Sequence, residues 1–165
     1  MDPTDVFKKR NFSKVNFDYE EMIGRNLSNS NLKGVDLKNR DIHNADLSGS
    51  DLSGADLSDT ILFNVKLRGA DLQNVNLTNA KLWDADLYGV DLTNANISGA
   101  DLFYADLRNA DLRNTNLSGV NFRHANFEGA TFISIDFTNA NYDLDTLNTI
   151  SKDIKLILEM QGNRW

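Results

Sequence analysis

The chain has 165 residues, no cysteine, a single proline and ten glycines, and 41% of it is apolar. Such a composition suits one folded domain rather than a disordered chain, and it excludes a disulfide framework or a thiolate metal centre. A formal net charge of -7 argues against direct binding to nucleic acid, whose backbone calls for a basic stripe.

The charge is uneven. Residues 1–40 carry eight Lys/Arg against six Asp/Glu, residues 41–150 six against sixteen, and residues 151–165 three against two, giving +2, -10 and +1. Met1 to Asp5 precede no apolar run of signal-peptide length, and no stretch approaches the roughly 20 apolar residues that cross a bilayer. The expected location is the cytoplasm, with no membrane span.

At the N-terminus a five-residue frame begins weakly through Phe12, Phe17 and Met22. Two positions before the centres at this end stand Arg10, Glu20, Arg25 and Arg40, where a small residue is expected. Glu20 and Arg40 are twenty apart, and two readings stay open for them: an ion pair at a corner, or a bulged wall. A buried unpaired charge there would be costly.

From Leu27 to Tyr142 the frame does not slip. Its 24 centres are seventeen Leu, two Ile (Ile42, Ile97), four Phe (Phe122, Phe127, Phe132, Phe137) and Tyr142. A five-residue period fits neither a helix nor a strand, because it scatters around the first and alternates faces on the second. The chain must turn every five residues. The small residue two before each centre, such as Ala45, Val65 or Ala105, points inward with it. The Asp or Asn between them points out, and the two following positions, rich in Ser, Thr, Asn and Gly, form the turn. A unit this short must stack on its neighbours to bury its apolar face. Outward Phe63, Trp83 and Phe103 recur at twenty residues, which suggests four units per coil. With Phe12, Phe17 and Met22 there are 27 centres, hence about seven coils.

The units Ala45-Asp46-Leu47-Ser48-Gly49, Ala55-Asp56-Leu57-Ser58-Asp59, Ala70-Asp71-Leu72-Gln73-Asn74 and Ala105-Asp106-Leu107-Arg108-Asn109 resemble the pentapeptide repeat family, whose signature is A(D/N)LXX. The resemblance covers roughly residues 10–145. It implies an all-β solenoid, a right-handed quadrilateral β-helix, with the central Leu or Phe and the preceding small residue inward. The expected division is residues 1–145 for the repeat, irregular N-terminal coils included, and 146–165 for a short C-terminal α-helical cap and tail.

One outward column departs from the polar norm. His43, Phe63, Trp83, Phe103 and Arg123 follow one another at twenty residues, with Ile61, Lys81 and Tyr104 beside them. The equivalent column through Lys38, Ser58, Thr78, Ser98, Ser118 and Thr138 is wet. The aromatic column is expected to be an interaction surface with a polar rim, or a set of rings that merely stabilises neighbouring coils. The expected function is therefore a non-enzymatic protein-interaction or scaffold module using this strip, with a protein partner of unknown identity. Two alternatives are a structural solenoid and, from the resemblance, a DNA-mimicking binder of a type II topoisomerase such as gyrase. The acidity of residues 41–150 favours the latter, while Lys66, Arg68, Lys81, Arg108, Arg113 and Arg123 interrupt it.

Catalytic residues, cofactors and bound metals are not expected. His43 and His124 are 81 residues apart and cannot share an ion, and the Asp spacing is the repeat's own. No GxxxxGK[ST] loop opens a helix. After Tyr142 the repeat stops, and Ile150, Ile154, Ile157 and Leu158 fall on one face of a helix that Ser151 could cap and Gly162 stop. This helix is expected to close the open end of the core. Leu156, Met160 and Trp165 leave apolar material for a homodimer contact through the C-terminus, as the resemblance to the gyrase-binding members also suggests.

Overall fold

The computed structural model describes residues 9–13 and 22–160. Most of the described units close on themselves through one local bond, in which the N–H of the small inward residue donates to the carbonyl of the preceding centre, as from Ala70 to Leu67 and from Ala105 to Leu102, both 2.9 Å. The third residue of that turn has positive φ: Gly69 at 63°, Gly89 at 64°, Asn74 at 57°, Asn109 at 57°. This is the signature of a type II turn, which explains why Gly and Asn alternate there. Asn fills this place as readily as Gly because its short amide tolerates left-handed backbone. The outward Asp or Asn supports the same turn. Asp71 Oδ1 accepts the N–H of Gln73 at 3.0 Å and Asp91 Oδ1 that of Thr93 at 2.9 Å, a side-chain bond two residues on.

Coils join at a twenty-residue register. Parallel bridges link Asp46 to Lys66, Lys66 to Asp86, Asp86 to Asp106 and Asp106 to Asn126. Around each, the centre donates to the residue nineteen ahead, as Leu87 N–H to the Asp106 carbonyl at 2.9 Å, while Asp86 N–H donates back to Val65 at 3.0 Å.

The expectation of an all-β solenoid, a right-handed quadrilateral β-helix, is corrected here. Among the described residues no strand exceeds a single bridging residue, and the regular elements are two short C-terminal helices. The reason lies in the unit. The centre, the third turn residue and the outward residue all bond to neighbouring coils, but the turn that recurs in the unit leaves only the outward residue as a bridge, so no ladder extends along the chain.

The interior is a column of centres. All of them from Leu27 to Phe127 are buried, with Leu87 at 1% exposure, and the small residues between them are buried as well. Polar atoms that enter this column are paired. Ser50, Thr60 and Thr115 occupy the small-residue position and donate their hydroxyls to the carbonyls of Leu27, Leu37 and Leu92 at 2.9, 2.9 and 3.0 Å, which removes the cost of an unsatisfied buried group. Phe122, Phe127, Phe132, Phe137 and Tyr142 pack ring on ring at the far end, with centroids 5.4 to 6.1 Å apart in successive contacts. Arg25 is exposed. Glu20, and with it the pairing expected with Arg40, lies outside the described residues.

The C-terminal segment differs from the single helix expected. Helix α1 runs Leu144–Thr149, Ile150 interrupts it in extended conformation, and α2 runs Lys152–Met160. Ile150, Ile154 and Leu158 are buried as expected, whereas Ile157 stands 38% exposed.

Candidate functional site

The sequence-predicted aromatic column does not form a continuous exposed strip. His43 stacks on Phe63 at 4.8 Å, and Phe63 meets Trp83 at 5.7 Å. A separate group joins Phe103 to Tyr104 at 4.6 Å, Phe103 to His124 at 5.3 Å and Tyr104 to His124 at 4.7 Å. Among the described residues no ring contact connects Trp83 to Phe103. His43, Ile61, Phe63 and Phe103 are half-buried, Lys81 and Arg123 are exposed, and of the large apolar side chains here Trp83 and Tyr104 alone stand out to solvent. The rings spend their faces on one another.

This overturns the lateral-strip interaction module, and with it the protein-binding role assigned to that face. The scaffold built on an all-β solenoid falls with the missing strands. The DNA-mimic alternative falls on the same ground. Asp86, Asp106 and Asp111, the carboxylates on which mimicry would turn, are each paired with an arginine: Arg68 Nε at 3.2 Å, Arg108 Nη2 at 2.7 Å and Arg113 Nη2 at 2.5 Å. The pairing was legible beforehand, since Asp106 to Arg108 and Asp111 to Arg113 are two apart and both outward. Arg68 and Arg108 also flank the Tyr88 ring, with guanidinium carbons 4.4 and 5.6 Å from its centroid.

These pairs make an acid-sensitive element. The bonds from Arg108 hold the Asp106 carboxyl below the ordinary carboxylate range despite partial burial, and those from Arg113 do the same for Asp111. A folded-state pKa below the unfolded one stabilises above the unfolded value, and that stability is lost as pH falls through the folded value. Melting temperature should therefore hold steady on the neutral side and drop once pH falls below about 4. Asp106→Asn should soften that drop; an unchanged acid limb in this variant would remove Asp106 from its cause.

A cluster of functional groups lies where the last regular coil meets α1, and the repeat pattern singles out none of Asp143, Asp145, Thr146 and Thr149 within it. In the repeat, His124 N–H would donate to the backbone carbonyl of residue 143, nineteen ahead. Instead the Asp143 side chain takes it, at 3.2 Å to Oδ2. The same carboxylate caps α1, accepting Thr146 N–H at 2.9 Å on Oδ1. Phe127 N–H would likewise reach residue 146, and it finds Thr149 Oγ1 at 3.0 Å. The Thr146 hydroxyl, fully buried, lies 2.9 Å from the Phe122 carbonyl and 2.9 Å from Asp143 Oδ1. The cap thus ends the repeat by substituting side-chain acceptors for the missing backbone ones. Asp-x-x-Thr directly after the last centre was the available signal for a helix start. Burial works against the Asp143 charge, but the bonds from Thr146 and His124 outweigh it and keep the carboxyl below its ordinary range.

His124 Nδ1 lies 3.1 Å from Asp143 Oδ2 and 3.2 Å from Asp145 Oδ2, and Arg123 Nε is 3.8 Å from Asp143 Oδ2. An open cavity of about 570 Å³ sits over these groups, lined by them and by Asn141, Tyr142 and Leu144. The exposed large apolar side chains of the cap include Leu144 at 68%, Leu156 at 57% and Met160 at 78% exposure. Trp165, the remaining residue expected in a dimer contact, lies outside the described residues.

With this geometry in place, the class is plain. The sequence model for pentapeptide repeats matches residues 41–79, 70–103 and 105–141, more than half of the chain. The chain belongs to the pentapeptide repeat family. Members of this family are generally non-enzymatic scaffolds. Among solved structures it is similar to the pentapeptide repeat protein Rfr23 from the cyanobacterium Cyanothece 51142, at 33% identity over 67% of this chain and 66% of that one, with a TM-score of 0.31. It is also similar to HetL from Nostoc sp. strain PCC 7120, a protein involved in heterocyst differentiation regulation, at 27% identity over 80% of this chain and 58% of that one, with a TM-score of 0.31. A pentapeptide repeat protein from the Arabidopsis thaliana thylakoid lumen shares 26% identity over 76% of this chain and 75% of that one, with a TM-score of 0.32. The chain spans less than two thirds of the length of the first two, and superpositions this loose carry no argument about function. Comparison with curated proteins found no match. Among the described residues no helix is long and apolar enough to cross a membrane.

Proposed function

We propose that the chain catalyses no reaction and works as an assembling module, two copies pairing through their C-terminal helices. The observation that carries this is the distribution of exposed apolar side chains. Of the seven large ones among the described residues, five fall within residues 133–160: Ile133, Leu144, Leu156, Ile157 and Met160. Leu156 and Met160 are four apart on α2 and so share a face, with Ile157 beside them. Ile154 and Leu158, on the opposite side of the helix, are buried.

A second copy is the occupant that charge favours. Residues 41–150 carry net -10, so two chains brought side by side repel, whereas residues 151–165 carry net +1. A helix stripe of this kind is also self-complementary about a two-fold axis, which lets each copy cover the other's apolar face. The generally non-enzymatic character of the family supports the non-catalytic half of the reading.

Light scattering on the full chain should give a dimer mass at high micromolar concentration. The double substitution Leu156→Glu with Met160→Glu should give a monomer with unchanged circular dichroism, since both side chains already face solvent within one copy. A monomeric wild type, or a double variant that still dimerises, would overturn the proposal.

A further inference from the structure

Three donor groups from separate places in the chain converge under the open cavity at the cap: His124 from the last regular coil, Asp143 from the helix cap, and Asp145 from the first turn of α1. We propose that they form a binding site for a first-row divalent transition ion, with Zn²⁺ the best match to one imidazole nitrogen and two carboxylate oxygens.

The spacing carries the argument. Nδ1 of His124 stands 3.1 Å from one carboxylate oxygen and 3.2 Å from the other, and the three donor atoms all lie within 4.8 Å of one another. Donors bound at about 2.0–2.2 Å around a tetrahedral zinc are themselves about 3.4 Å apart, so the ion enters with small side-chain adjustments. The groups are also poorly matched without it. Nδ1 carries a single proton at most, so without an ion two carboxylates must share it in a three-centre bond.

The imidazole is held in place from behind. Tyr104 stacks on it with a 15° interplanar angle, and Phe103 packs edge-on at 77°. Asp143 is anchored by its bonds to Thr146 and to His124 N–H. Asp145, whose side chain is 76% exposed, supplies the adjustable ligand, and the cavity leaves room for water in the fourth position. Arg123 is the competitor. Its Nε lies 3.8 Å from Asp143 Oδ2, but the side chain is 48% exposed and free to swing into solvent. An ion here would tie the end of the coil stack to α1, so its binding would stabilise the cap.

The test is zinc titration of the full-length protein by calorimetry, paired with thermal melts. Wild type should bind one Zn²⁺ per chain and melt at higher temperature with the metal present. Asp145→Asn leaves the helix cap untouched; it should lower zinc affinity at least tenfold while the metal-free melt is unchanged. His124→Gln should do the same for affinity, and Arg123→Gln should raise it by removing the competing charge. Absence of saturable zinc binding by wild type, or an Asp145→Asn variant that binds as wild type does, would overturn the assignment. Calcium binding tighter than zinc would overturn the choice of ion, because an imidazole ligand favours zinc.

Discussion

Leu87→Asp should prevent the middle of the chain from folding. Leu87 is 1% exposed, and its backbone is locked at both ends, donating its N–H to Asp106 and accepting from Val90 through its carbonyl. The side chain therefore cannot turn outward without breaking the register with the next coil. Losing a buried Leu costs about 2–5 kcal/mol by itself, and an unpaired carboxylate adds a charge that has no partner in a column of apolar side chains. The expected loss exceeds about 5 kcal/mol by urea unfolding, comparable to the whole stability of many domains. Leu87→Met, which conserves volume, should cost under about 1.5 kcal/mol. If Leu87→Asp costs less than about 1 kcal/mol, Leu87 is not inward in solution.

Asp143→Ala should release the cap from the coil stack. One carboxylate serves both elements, accepting His124 N–H from the coil and Thr146 N–H from the first turn of α1. Removing a helix N-cap costs about 0.5–2 kcal/mol, and leaving a partly buried N–H without an acceptor adds about 1–3 kcal/mol. The effect should be local because each coil contacts only its neighbours. Hydrogen exchange at Phe127, Thr146 and Leu147 should accelerate strongly, while Leu57 and Leu67, several coils away, keep their protection. Uniform acceleration along the chain would mean that the cap and the distant coils unfold as one unit. Asp143→Asn should retain most of the protection, since an amide oxygen can still accept both bonds.

The core was legible from the sequence. An apolar residue every five positions, with a small residue two before it, specifies which side chains are inward, and the burial of Leu27 through Phe127 follows that reading. The twenty-residue register was legible too, from the spacing of Phe63, Trp83 and Phe103, and the bridges from Asn11 to Asn141 keep it. A period reports direction and distance along the chain, and these are what stacking needs. The class of secondary structure was not legible in the same way. A turn that recurs in the unit leaves single bridges in place of strands, and a hydrophobic period does not count hydrogen bonds.

The functional surface was harder to read. Phe63, Trp83 and Phe103 recur at the twenty-residue register, but a register says nothing about tilt. Whether rings lie against each other or stand out to solvent depends on rotamers, and on backbone such as Tyr104 at a φ of 59°. The cluster at His124 was hidden for a related reason. The period relates His124 only to residues along the repeat, whereas its partners, Asp143 and Asp145, lie past the end of the periodic pattern. What the sequence by itself determined is the inward column and its register, because local turn chemistry and burial repeat unit by unit. What the tertiary structure alone decided is the end: where the period stops, α1 replaces the next coil. Side chains nineteen to twenty-two residues away from their donors then take over the bonds that backbone makes elsewhere, and that substitution gathers the groups at the cap.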